Sequence, residues 1–316
     1  MVWAHVNAYN NLSLGDRTDT AGWLDSGLPG RSELRMENAT DQRSIGAMAE
    51  RGVKVAISML WYSGAELSRG VMRLAGRSPA PRFVVLCYHE VPQEARARFA
   101  RQMEALSRGT TVLRAAHTGP LPDRGSFVAI TFDDAFRSVR TNALPELLSR
   151  GFPATIFVPV DFLGREPGWD MKMRIDEQVM TCDELRSLPE LIELGSHTLS
   201  HPHLTEIDVA RLRDEVAASR HKLTELIGSQ VSLLAFPYGE YDDRVVGTCW
   251  KAGYELVFGC APWPTDPAGR DFVRGRVPVY QTDGPLMFHL KARGAYRWMI
   301  HASALKRRLA RWRRFR

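Results

Sequence analysis

Five short apolar runs, separated by stretches with helical spacing, constrain this chain more than any other feature. The runs are FVVLCYH (83–89), FVAITF (127–132), ATIFVPV (154–160), LIELGS (191–196) and LLAFPY (233–238), and each reads as a buried strand. Between them, segments such as ALPELLSR and VARLRDEVAASRHKLTELIG place apolar residues on one helical face and charges on the other. Strand alternating with helix predicts an α/β chain with a mostly parallel sheet. About seven such strands predict a closed or nearly closed barrel. In that architecture the reacting groups stand at the C-terminal ends of the strands.

The ends of four runs carry residues with chemistry. The second run closes in TFDDAF, with Asp133 and Asp134 adjacent. A single aspartate between strand and helix often caps the helix. Two in succession diverge in an extended segment, so one can bind a cation while its neighbour faces a bound water. The fourth run leads into GSHTLSHPHL, where His197 and His201 lie four apart, close enough on one turn to share an ion. His203 reads as a residue that fixes this turn. The first run ends in CYHEV, placing His89 at the same rim, and the fifth ends in AFPYGEYDD, where Pro237 and Gly239 frame Tyr238. Alone, PYG is commonly only a turn. Taken together, the four strand ends point to one site.

The flanks read differently. Residues 1–45 are rich in Asn, Asp, Ser, Thr and Gly without a sustained period, which predicts a disordered leader. Residues 46–80 predict an amphipathic helical segment, with Ile57, Leu60, Trp61, Leu67, Val71 and Leu74 near helical spacing, a break around Gly64 and an RSPAPR linker. The catalytic domain is expected over 81–294. Residues 295–316 form a basic tail in which Trp298, Ala302, Leu305, Leu309 and Trp312 recur at helical spacing. The last eleven residues hold seven basic and no acidic side chains; without them 35 basic face 36 acidic side chains. A neutral body argues against a nucleic-acid groove. The four cysteines lack zinc-cluster spacing and are expected as free thiols. No apolar run approaches the roughly 18 residues of a membrane span. The first residues lack a basic segment followed by an apolar one, so a cytoplasmic location is expected.

TFDD, SHTLSH and FPYG, in this order and each after a strand, resemble the NodB-homology polysaccharide deacetylases, carbohydrate esterase family four. The resemblance spans roughly residues 80–285. It implies a deformed (β/α) barrel and one divalent ion, usually Zn²⁺, held by Asp134, His197 and His201. It further implies Asp133 as general base. The YHEV strand is similar to the branch containing poly-N-acetylglucosamine deacetylases, which implies His89 as general acid; His289, in FHL, is the reserve. The family's arginine ahead of the prolines is replaced here by Ala235 and Phe236, and its Asp-rich motif with a Trp is not recognisable. Arg276, in RGRVPVY, is the arginine expected to orient the base.

The implied reaction is hydrolysis of N-acetyl groups on an N-acetylated glycan, in exopolysaccharide or glycolipid biosynthesis. An imidazolium at His89 would protonate the leaving nitrogen, and the backbone N–H of Tyr238, with Pro237 beside it, would face the oxyanion. Three other readings stand beside it: a glycan O-acetyl esterase on the same site, a non-catalytic glycan-binding protein, and a non-haem iron oxygenase, which also uses two His and one carboxylate. The basic tail, with Trp and Leu on one side, predicts peripheral contact with an anionic membrane at its cytoplasmic face.

Overall fold

The computed structural model describes residues 31–123, 125–169, 177–262 and 271–302, with side chains from residue 50 onward. A helix, α1 (Arg31–Leu74), precedes β1 (Arg82–Tyr88), α2 (Gln93–Ser107), β2 (Thr111–Leu113) and β3 (Ser126–Phe132). Next come α3 (Leu144–Leu148), β4 (Ala154–Val158), α4 (Cys182–Arg186), β5 (Ile192–Ser196), α5 (Val209–Arg213) and α6 (Ser219–Ile227). The chain continues with β6 (Leu233–Ala235), α7 (Asp243–Lys251), β7 (Leu256–Phe258), β8 (Val273–Arg274), β9 (Val277–Pro278) and α8 (Pro285–Ala292). All five apolar runs become strands. Strands β2, β7, β8 and β9 are two or three residues long, too short to leave a period in the sequence.

Every strand pair is parallel. The order is β8-β7-β6-β5-β4-β3-β1-β9, with β2 pairing the first half of β3. Its two end strands are consecutive in the chain, separated only by Gly275 and Arg276. The sheet therefore curls round until one short segment bridges its open seam, which is the deformed (β/α) barrel. Successive strand residues point to opposite faces. Phe83, Val85, Phe127, Ala129, Phe157, Leu233, Ala235 and Phe258 fill the concave interior. Val84, Leu86, Val128, Ile130 and Ile156 pack outward against α2, α3 and α6 residues such as Phe99, Met103, Leu147 and Leu223. Both faces are buried, which is why these strands read as unbroken apolar runs.

The N-terminal flank differs from its sequence reading. Residues 31–45, expected within a disordered leader, are helical as the first part of α1, and α1 continues through Gly64 without a break. Leu, Arg, Met, Glu, Ala and Gln dominate positions 34–50, so propensity supports a helix where no apolar stripe announces one. Gly64 costs about 1 kcal/mol against alanine but keeps its N–H, so the ladder survives. Residues 1–30 of the expected leader and 303–316 of the tail, with Leu305, Leu309 and Trp312, lie outside the described residues.

Candidate active site

Strand parity delivers the site. Along β1 the interior series Phe83, Val85, Cys87 arrives two residues later at His89, and along β3 the series Phe127, Ala129, Thr131 arrives at Asp133. Gly195 and Ala235 are followed in the same way by His197 and Pro237. The interior position of Gly195 admits no side chain, because a Cβ there would lie 2.6 Å from the Phe157 ring. One rim of the barrel thus collects groups from four strands.

The backbone beyond these strand ends is strained. The non-glycine residues with positive φ among those described are Asp134 (68°), Ala135 (50°), Thr198 (68°), His201 (57°) and Tyr238 (57°), all on three loops of this rim. Each such residue costs of order 1–3 kcal/mol and persists only where its surroundings enforce it. Buried Glu215 provides part of that enforcement, accepting the N–H groups of Leu199 (3.0 Å) and Ser200 (2.9 Å). Thr198 Oγ1 accepts the N–H of His201 (3.2 Å), and Ser196 Oγ accepts that of Thr198 (3.1 Å).

These loops bring Asp134 Oδ1 to 3.7 Å from His197 Nε2 and 3.5 Å from His201 Nε2, all three side chains buried. His197 donates its Nδ1 proton to the Ala235 carbonyl (2.8 Å), which leaves the Nε2 lone pair facing Asp134. Burial lowers the pKa of His197 to about 4 and that of His201 well below the usual imidazole range, so both rings are neutral, as ligands must be. Burial, reinforced by the Asp133 charge and moderated by His89, pushes Asp134 up to about 7. Asp134 Oδ1 and His201 Nδ1 have no hydrogen-bond partner among the described residues. An orphaned carboxylate oxygen between two neutral imidazoles is the donor set of a divalent cation, and these residues fit one.

Asp133 has the opposite environment. Arg276, wholly buried on the segment that bridges the barrel seam, donates from Nη1 to Oδ1 (2.6 Å) and from Nη2 to Oδ2 (2.8 Å). Its remaining hydrogen bonds go to Thr131 Oγ1 and the Gly259 carbonyl, and it lies over the rings of Phe157 and Phe258. The Cys87 thiol approaches Oδ2 at 3.4 Å. Burial would raise the Asp133 pKa, but the Arg276 guanidinium holds it well below the usual carboxylate range. A ring nitrogen of half-buried His89 lies within 4.8 Å of a carboxylate oxygen of Asp133. Burial opposes its charge, and Asp134, Asp133 and Glu90 outweigh that opposition, so its pKa is raised.

The PYG turn closes the rim. Pro237 is buried, and the Tyr238 ring stacks on His203 (3.8 Å) while standing edge-on to His201 (4.7 Å). His203 Nδ1 bonds Glu240 (2.8 Å), so it ties the two loops together, as its sequence reading held. Gly239, at φ 69°, is obligatory: a Cβ there would lie 2.3 Å from Cys260 Cβ. Trp169 stacks on the His201 ring at 4.5 Å. His289, the reserve acid, instead sits exposed on α8 against the Tyr62 ring of α1.

Residues 121–257, the span that carries both aspartates, both histidines and Tyr238, match the family model described as polysaccharide deacetylase. The chain contains a polysaccharide deacetylase domain. The poly-beta-1,6-N-acetyl-D-glucosamine N-deacetylase of Escherichia coli (strain K12) is 25% identical over 228 residues, covering 56% of this chain and 33% of its own length. The chitooligosaccharide deacetylase of Bradyrhizobium sp. (strain ANU 289) is 30% identical over 149 residues, covering 46% of this chain and 59% of its own. The chain thus spans less than two thirds of these relatives. IcaB from Ammonifex degensii shares the fold, with a TM-score of 0.58 and 24% identity over 69% of this chain and 100% of that one.

Of the residues singled out in the sequence, the structure brings Asp134, His197 and His201 together, sets Asp133 against Arg276 with His89 nearby, and places Tyr238 against His201 beside buried Pro237. Trp169, Cys87 and Thr131 were missed. Strand parity could have found Cys87 and Thr131, which stand two residues before His89 and Asp133. Trp169, in EPGWD, has no local signal because its partner is reached only through the fold.

Proposed function

We propose that this domain hydrolyses N-acetyl groups of an N-acetylated glycan with the aid of one divalent ion, in exopolysaccharide or glycolipid biosynthesis. The observation that carries this reading is the pairing of two adjacent aspartates in opposite environments. Asp133 is clamped and ionised by Arg276, whereas Asp134 is left without a counter-charge between two neutral imidazoles. A divalent ion, Zn²⁺ being the best match to a His₂-carboxylate set, would be held by Asp134, His197 and His201 and would supply Lewis-acid polarisation and an acidified water.

The chain's own residues perform the remaining work. Asp133, ionised at every physiological pH, accepts the proton of the attacking water. Its clamped geometry spares the reorganisation that a free carboxylate would need. His89, whose pKa is raised by Asp134, Asp133 and Glu90 against the opposing effect of burial, donates a proton to the departing amine, without which an amide nitrogen is a poor leaving group. The backbone N–H of Tyr238, in the left-handed turn after β6, is the fixed dipole we assign to the oxyanion. Trp169 and Tyr238 flank the His201 ring and offer the flat apolar surfaces on which a sugar ring packs. The names of the two curated relatives, which act on poly-N-acetylglucosamine and chitooligosaccharide, support an N-acetylated substrate.

The test is acetate release from a panel of N-acetylated and O-acetylated glycans by metal-reconstituted protein. Release from N-acetylated members that His89→Ala abolishes supports the proposal. Release confined to O-acetylated members and indifferent to His89→Ala identifies an esterase. Absence of release from every member, with the ion bound, leaves a glycan-binding protein.

A further inference from the structure

Beside Asp133 the barrel interior holds two cysteines that the proposed reaction leaves unused. Cys87 is wholly buried on β1, Cys260 is half-buried just past β7, and both are free thiols. Their sulfur atoms lie 4.0 Å apart, and Cys87 Sγ lies 3.4 Å from Asp133 Oδ2. A buried cysteine is by default a small apolar residue with a weak donor. These two instead share their surroundings with a carboxylate and an imidazole.

The fold sets this arrangement. Cys87 and His89 are two apart on one extended segment, so both point to the same side. Strand β1 pairs β3 with Cys87 opposite Thr131, and the Asp133 N–H donates to the Tyr88 carbonyl (2.9 Å), so the pairing runs on past both strand ends. Asp133 is thereby held beside His89. The Cys87 sulfur, a ring nitrogen of His89 and a carboxylate oxygen of Asp133 all lie within 4.8 Å of one another. Cys260 is fixed by its neighbour Gly239, where a Cβ would lie 2.3 Å from its own Cβ.

Donor chemistry selects the ligand. The two sulfurs are separated by about twice the length of an S–S bond. Two thiolates at about 2.3 Å from a tetrahedral ion stand roughly 3.8 Å apart. The observed spacing therefore needs little adjustment to take an ion, whereas a disulfide would have to halve it. Thiolate with imidazole favours Zn²⁺ or Cd²⁺ over Mg²⁺ or Ca²⁺. Charge agrees, because two thiolates and Asp133 balance a divalent ion and the buried Arg276 guanidinium.

We propose that Cys87, His89 and Asp133, with Cys260 as the fourth donor, form a second cation site, for a thiophilic divalent ion. Binding replaces two S–H bonds by two metal–sulfur bonds, and the protons leave to solvent. It also occupies a His89 ring nitrogen, and a metal-bound imidazole cannot be an imidazolium. On the reading of His89 as the acid, filling this site stops turnover.

The test titrates the full chain, loaded with a single equivalent of Zn²⁺, with Cd²⁺ while thiolate-to-metal charge-transfer absorption is followed in the ultraviolet. The Asp134, His197 and His201 set holds no sulfur, so exchange of its ion is silent. Absorption is expected to reach a plateau at about one Cd²⁺ per chain. Cys87→Ser abolishes it, Cys260→Ser weakens binding by at least about tenfold, and Cys182→Ser changes nothing, with near-ultraviolet circular dichroism reporting an intact fold in each. Should Cys87→Ser fail to fold, Cys260→Ser decides alone. No absorption, absorption unchanged in either of those two variants, or absorption that needs Cys182 overturns the proposal. Absent absorption together with loss of two free thiols on treatment with hydrogen peroxide would assign the pair to a disulfide instead. The absorption is read without turnover, so the site stands or falls separately from the deacetylase reading. Undiminished acetate release at the plateau would count against His89 as the acid and not against the site.

Discussion

Replacing Arg276 by glutamine tests the electrostatic argument for the site most sharply. The guanidinium is wholly buried and doubly bonded to Asp133, so its loss strands an ionised carboxylate in the barrel interior. Breaking a buried pair from one side costs about 3–5 kcal/mol. For a domain of this size that corresponds to a fall in Tm of about 6–20 °C. Direction with pH follows from Asp133, whose folded pKa is held below its unfolded value of about 3.9. Its stabilising contribution is fully present above that value and fades as pH falls through it towards the folded value. In Arg276→Gln burial is no longer opposed by the guanidinium and raises the Asp133 pKa, so the deficit is largest where that carboxylate is ionised and shrinks as pH falls through its raised value. Since Arg276 also bonds Thr131 and Gly259, a cycle with Asp133→Asn separates the pair from the rest. The double variant is expected to recover about 1–3 kcal/mol of the single variant's loss. Urea denaturation of the four proteins at neutral and acid pH measures each quantity. A deficit equal at both pH values, or strict additivity in the cycle, would refute the assignment of that energy to the Asp133–Arg276 pair.

Other outcomes follow from the same geometry. His197→Ala and His201→Ala are each expected to cut divalent-ion occupancy sharply from about one per chain, measured by metal analysis after dialysis; full retention in both removes them as ligands. Asp133→Asn should keep the ion yet lower acetate release by about 10²- to 10⁴-fold, and wild-type turnover would end its role as base. Gly239→Ala forces a Cβ into Cys260 at a left-handed position, so thermal unfolding should register a loss of about 1–3 kcal/mol, with none expected at Gly247, where a Cβ meets nothing.

Much of the site was legible because its residues sit at the ends of strands. A strand buried on both faces is an apolar run, its end is the first polar residue, and alternation fixes which face that residue joins. That logic reaches His89, Asp133 and His197 from local sequence. Motif spacing adds Asp134 and His201, although their convergence depends on left-handed backbone that no propensity announces. The helical character of the segment from 46 up to the RSPAPR linker was likewise readable, whereas the helix over 31–45 was not, because its composition lacked an apolar stripe.

What the chain's local sequence could not decide was every relation between distant segments. Arg276 lies 143 residues from Asp133, and only the curl of the sheet, which ends where β8 and β9 flank it, brings the guanidinium to the carboxylate. Trp169 reaches His201 from a loop, and His289 is carried away to α8 rather than to the rim. The same holds for α1: the amphipathic pattern defined two faces, but only docking against Leu290 and Tyr296 determined that the apolar one turns outward. Local patterns follow from the chain's own periodicity. Which face meets which partner depends on long-range packing, whose energy belongs to no single segment.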